Sequence, residues 1–147
     1  MLSSNLSLRK AYFSLLSTIQ YNSVSVPVYW QQLPTTVEAG IYIIFGQIRN
    51  NDDSNKSASV TQTSVTVSIF TNSLKYNDGV AVEAVTNEVL NRIYKEPHFN
   101  IVLAQSFFQI IQTTLESDIT NDFSEDRQNI YIDRVLVFNH TIFQNIS

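Results

Sequence analysis

The chain has 147 residues, a length that fits one domain, and 44% of them are hydrophobic, enough to build a core. Charged residues make up only 15% and the net charge is −4, against roughly 25% charged in an average globular chain. Nine Lys and Arg scattered along the sequence argue against a tight nucleic-acid binder, though not against a surface that DNA slides past.

The absence of cysteine excludes disulfides, thiolate metal sites and cysteine nucleophiles. No apolar run approaches the roughly 18 residues of a membrane span, so no membrane partner is expected. The opening MLSSNLSLRKAYFSLLSTIQ lacks acidic residues and is rich in serine, the composition of a mitochondrial presequence. The simpler reading is the first helix of the fold. Leu8, Tyr12, Leu15, Leu16 and Ile19 fall at helical spacing, and Ser4 or Asn5 can cap it. The helix is expected to end near Tyr21-Asn22-Ser23.

VSVPVYWQQLP follows, and Pro27 within it predicts an edge strand or an extended arm. GIYIIFGQI reads as a buried strand bracketed by Gly40 and Gly46. RNNDDSNKSAS, residues 49–59, reads as a flexible polar loop between two strands. From Val60 the pattern alternates, with Val65, Val67 and Ile69 on one side and Thr66 and Ser68 on the other, which predicts a half-buried strand.

Asp78 is expected to open a second helix, with Gly79 in its first turn. Val82, Val85, Val89 and Ile93 make its stripe, widened by Ala81, Leu90 and Tyr94. Glu83 and Glu88 towards the start, and Arg92 and Lys95 at the end, suit the helix dipole, and Pro97 stops the helix. FFQIIQTTLES, from Phe107, reads as a strand with apolar residues on both faces. ESDITNDFSEDRQ reads as an acidic turn, and NIYIDRVLVFNHTIF as a last long strand, with residues 139–147 as a C-terminal tail. The predicted fold is α+β: a mostly antiparallel sheet of about four to five strands with two main helices on one face, in the order α-β-β-β-α-β-β.

Little in the sequence points to chemistry. His98 and His140 have no Cys, Asp or Glu at metal-ligand spacing, so surface or packing roles are expected of both. No nucleophile elbow occurs. The cluster of Glu116, Asp118, Asp122, Glu125 and Asp126 lacks the glycine an EF-hand loop needs and reads as a solvated acidic turn or a docking surface. The turn TNSLKYND has no glycine-rich phosphate pattern, and Asp78 would repel an anion at the helix start. The strand–turn–helix therefore serves to place a helix across a sheet. No cofactor is expected.

Several segments carry a resemblance: LRKAYFSLLS, VPVYWQQLP, IYIIFGQI, VTVSIFTNSLKYNDGVAVEAVTNEVLNRI and IYIDRVLVFNHTI. In that order they resemble the hydrophobic pattern of the tail-terminator, or tail-completion, proteins of tailed bacteriophages, and of related neck and head–tail joining ring proteins. The sequence departs from that pattern at Gly40-Ile41-Tyr42, where a proline is common, and over residues 99–126.

The resemblance implies a single terminator-like domain and a structural virion protein, assembled in the bacterial cytoplasm. It would form a homo-oligomeric ring, hexamer or dodecamer, at a tail end or neck, against portal, connector, neck or tail-tube proteins. Genomic DNA would pass through its lumen without specific binding. The implied subunit-interface candidates are Val26, Val28, Tyr29, Trp30, Ile142 and Phe143, in two segments able to add to a neighbour's sheet edge. The lumen or partner-contact candidates are Arg49, Asp52, Asp53, Lys56, Asp118, Asp122, Glu125 and Asp126. A competing reading is a monomeric, non-enzymatic adaptor or assembly chaperone. An enzyme is disfavoured, because no acid, base, nucleophile or metal set lies at workable spacing.

Overall fold

The computed structural model describes residues 3–31, 40–54, 59–71, 79–94, 108–124 and 130–144, without the side chains of residues 122–124 and 130–131. The elements in chain order are α1 (Asn5–Leu16), β1 (Gln20–Tyr21), β2 (Val24–Ser25), β3 (Val28–Trp30), β4 (Ile41–Asp52), β5 (Ser59–Thr71), α2 (Val80–Ile93), β6 (Phe108–Ser124) and β7 (Ile130–Gln144). They form the expected α+β arrangement. A five-stranded sheet has the order β3-β4-β5-β7-β6, and only β3–β4 is parallel.

α1 begins where the apolar spacing places it but ends at Leu16, short of the expected Tyr21-Asn22-Ser23, because Gln20 and Tyr21 pair in β1. Leu8, Tyr12 and Leu16 are buried, and Ile19 is buried just beyond the helix end. Neither Ser4 nor Asn5 caps the helix through its side chain; the Ser3 hydroxyl accepts from the Asn5 N–H instead. At the other end, the Arg92 guanidinium donates to the Leu15 carbonyl at 2.8 Å and to Thr18, filling carbonyl valences that a helix C-terminus leaves open. The chain then turns through Asn22 and Ser23, both with left-handed φ, the geometry a two-residue hairpin requires. That turn joins β1 and β2, which pair with each other.

β3 lies at the sheet edge, as Pro27 predicts. Trp30 pairs with Phe45, and Gln31 turns back with a left-handed φ of 58°. Its side chain crosses Gly46, where a Cβ would sit 2.5 Å from Gln31 Cγ. Only glycine admits so close an approach. A register shift follows between Gly46 and Arg49, and such a bulge bends a strand and re-aims its side chains.

The loop expected over residues 49–59 is shorter than the composition suggests. Arg49, Asn50, Asn51 and Asp52 continue β4 and pair with Ser64 to Thr61, while Ser59 already belongs to β5. The polar composition reflects two exposed strand ends, not an absence of pairing. Asp53 also hydrogen-bonds across the hairpin, donating from its N–H to the Val60 carbonyl.

β5 alternates as read: Thr63, Val65, Val67, Ile69 and Thr71 are buried. α2 begins after Gly79, whose φ of 83° is a conformation glycine adopts without strain. Asp78, Lys95, Pro97 and His98 lie outside the described residues. The stripe Ala81, Val82, Val85, Val89 and Ile93 packs on the sheet, joined by a buried Thr86 that the apolar pattern did not reveal. Because β7 lies between β5 and β6, these two strands run parallel, and α2 makes the crossover between them. This is what the strand–turn–helix is for: it carries the chain over β7's place in the sheet.

β6 is much longer than expected. Glu116 and Asp118 lie within it, and its backbone stays paired through Asp122 to Ser124; Glu125 and Asp126 fall outside the described residues. An edge strand keeps one side in solvent and tolerates charge, so acidic residues did not end it. The tail reading also changes. Asn139 to Gln144 belong to β7, paired with β5 on one side and β6 on the other. Ile132, Leu136, Phe138, His140 and Ile142 of β7 are buried under the helices.

Candidate functional site

Three features stand out above the scaffold. The first is a buried polar cluster. Register places Thr63 of β5, His140 of β7 and Thr113 of β6 in one row, and all three are buried. One ring nitrogen of His140 meets the Tyr12 hydroxyl and the other meets Thr113 Oγ1 at 2.8 Å. A neutral imidazole has one donor and one acceptor nitrogen, so both are satisfied. The row continues through Thr63 to Asn50 (2.9 Å) and from Asn50 to Asn5 (2.9 Å), so α1 is tied to the sheet at its start and at Tyr12. Burial lowers the His140 pKa to about 4 and pushes that of Tyr12 well up. His140 thus has the packing role expected of it, within the sheet and not in a tail.

The second feature is an open groove of about 600 Å³ where α1 meets the β3 edge, lined by Arg9, Lys10, Phe13, Val28, Tyr29 and Trp30. The Trp30 ring packs edge-to-face on Phe45 (5.0 Å), and the Arg9 guanidinium lies 5.0 Å above it. Arg9 and Lys10 meet no carboxylate among the described residues.

The third is the outer edge of β6. Ile111 and Leu115 are exposed there, beside Glu116; Ile119 is exposed too, but it pairs with Val135 and so lies on the sheet face opposite Leu115, which pairs with Phe138. Register shifts skip Ile111 and Glu116, turning both out of the ladder as bulged residues do. Next to this edge, Arg134 clamps Asp118 with two hydrogen bonds, 2.9 and 2.7 Å, and reaches Glu83 of α2. The Arg134 hydrogen bonds hold the Asp118 carboxyl below its usual range. Arg134→Met is expected to cost about 1–3 kcal/mol, because it removes charged hydrogen bonds from a half-buried position. Urea unfolding measures it.

The sequence-derived interface set divides. Val28, Tyr29 and Trp30 line the groove, whereas Val26 and Ile142, each 2% exposed, are part of the subunit's own core. Phe143 is half-buried, in register with Val60 and Gln109. Of the lumen set, Arg49, Asp52 and Asp53 are exposed at the β4 end of the hairpin. A hydrogen bond from Ser54 lowers the Asp52 pKa. Asp118 is held by Arg134, Asp122 is placed only by its backbone, and Lys56, Glu125 and Asp126 lie outside the described residues.

Sequence reasoning passed over Arg9, Lys10 and Phe13. With Leu6 they stand at i, i+3, i+4 and i+7, a second helical stripe visible once the core stripe is subtracted. Among the described residues, no group of three or more His, Cys, Asp or Glu is placed to hold a metal ion. No described helix is long and apolar enough to cross a membrane.

No protein-family model and no curated protein matches the chain. Its fold is similar to that of a chain solved in the virion of a native gene transfer agent particle. The TM-score is 0.60 and the identity 18%, over 96% of this chain and 92% of that one.

Proposed function

We propose that the protein is a structural virion protein of a tailed phage or phage-like particle. It forms a six- or twelve-subunit ring at the tail end or neck that joins tail to head and lets DNA through. The observation that carries this reading is the shared fold across nearly all of both chains, this one and a chain from a gene transfer agent virion. The hydrophobic pattern of the tail-terminator proteins points the same way.

The subunit's architecture suits the role. Five hydrogen-bonded strands and two helices hold its two sheet edges at a fixed separation, and a closed ring needs the same angle repeated at every joint. The net charge of −4 suits a lumen through which DNA moves without salt-sensitive phosphate contacts. The role is non-enzymatic; its partners are further copies of the chain and the portal, neck or tail-tube proteins above and below.

Quantitative peptide mass spectrometry of purified particles from the element encoding the chain tests this. The chain is expected at six or twelve copies per particle. Abundant chain in the lysate with none in purified particles favours the assembly-chaperone reading instead.

A further inference from the structure

The two exposed patches described above lie at opposite ends of the subunit. α1 packs beside β3 and β4, so its outer stripe borders one edge of the sheet, and β6 forms the other edge. Both patches expose large apolar side chains: Leu6 (58%) and Phe13 (51%) on α1, and Ile111 (53%) and Leu115 (37%) on β6. α2 exposes one such residue, Val80 at its start, and otherwise presents Glu83, Ala84 and Asn87 to solvent. The patches also differ in sign. Arg9 and Lys10 stand on the α1 side with no carboxylate partner among the described residues, and Glu116 is turned outward on the β6 side.

Two unlike, mutually complementary patches at opposite ends define a heterologous joint, in which each copy gives one patch and receives the other. Resting on the ring reading above, we propose that the α1–β3 groove of one copy receives the β6 edge of the next, with Ile111 and Leu115 covering Phe13 and the Trp30 rim and Glu116 facing Lys10. The groove, at about 600 Å³, has room for branched aliphatic side chains. The bulges at Ile111 and Glu116 keep β6 from extending the sheet along its whole length, so side chains, more than a continuous ladder, make the joint. Three of the residues that the resemblance marked for the interface, Val28, Tyr29 and Trp30, lie in this groove.

Charge reversal tests the joint. Lys10→Glu sets two carboxylates against each other at every joint, and Glu116→Lys sets two ammonium groups. Both positions are exposed, so each variant should fold with the wild-type circular dichroism and unfolding midpoint. Native mass spectrometry, under conditions in which the wild type assembles, is expected to show either variant alone depleted in closed rings by about a hundredfold, the scale of like charges opposed across an interface. An equimolar mixture restores rings, because every joint between unlike variants again pairs opposite charges. Those rings alternate the two variants and so contain even subunit numbers.

If both single variants close rings as the wild type does, the joint lies elsewhere and the ring reading stands without it. If the mixture stays dissociated while the single variants do too, the pairing of Lys10 with Glu116 is wrong. A wild type that forms no closed species, alone or on a purified tail or portal end, overturns the ring reading and this joint together.

Discussion

Phe45→Ala is expected to cost about 3–5 kcal/mol, the usual range for removing a fully buried phenylalanine. Phe45 is completely buried on the helix-facing side of β4. Its ring stacks on Tyr12 of α1 at 5.9 Å and carries Trp30 edge-to-face at 5.0 Å. Deletion leaves a void between helix and sheet that neither neighbour fills, because Tyr12 is tied to His140 and Trp30 to its strand. The damage should spread to the surface. Trp30 loses the ring that supports it, and Arg9 loses the face it lies over. A stability of 5–15 kcal/mol is typical of folded proteins, so this one side chain supports a large share of the total. Urea unfolding is expected to show the midpoint falling steeply with the slope unchanged. Phe13→Ala, at a position 51% exposed, should stay within about 0.5 kcal/mol.

Acid should destabilise the protein through His140. An unfolded chain protonates histidine near pH 6.5, but burial lowers the His140 pKa to about 4 in the fold. The folded state therefore binds fewer protons over that interval, and the unfolded state gains as pH falls. Stability is fully present above about pH 6.5 and declines towards pH 4, by roughly 3 kcal/mol in all at about 1.4 kcal/mol per unit. The cause is burial, which disfavours the charged ring, with no described carboxylate facing it to balance a charge. Both ring nitrogens meet hydroxyls, of Tyr12 and Thr113. His140→Leu should be less stable at pH 7 by about 2–4 kcal/mol, because two buried hydroxyls lose their partner. It should also flatten the decline between pH 6.5 and 4. An equally steep decline in the variant would place the acid sensitivity elsewhere. The two proteins differ only at this residue, so the difference between their pH profiles isolates His140.

Much of the fold is legible in the sequence because burial leaves a period. Val65, Val67 and Ile69 mark one face of a strand, and Val82, Val85, Val89 and Ile93 one face of a helix; the structure buries both sets. Reading failed where polar residues occupy positions that pairing, not burial, decides. Arg49 to Asp52 look like a loop but hydrogen-bond to β5. Glu116 and Asp118 look like a turn but lie on an edge strand that has solvent on one side. His140 falls in step with Ile132, Leu136, Phe138 and Ile142, so its packing role was legible, but the polar residues around it made the segment from Asn139 read as a tail.

The candidate surfaces were harder still. Val28, Tyr29 and Trp30 stand out in the sequence, but the cations that complete their groove lie on α1, far from them in sequence. Which edge of the sheet each patch borders depends on strand order. No local pattern encodes that β7 inserts between β5 and β6.

Native mass spectrometry of the purified chain, alone and with purified tail-tube or portal ends, tests the ring most directly. A closed species at six or twelve times the subunit mass of 16.7 kDa is expected, free in solution or on one of those ends. A single 16.7 kDa species in every sample, with nothing retained on either end, would contradict it.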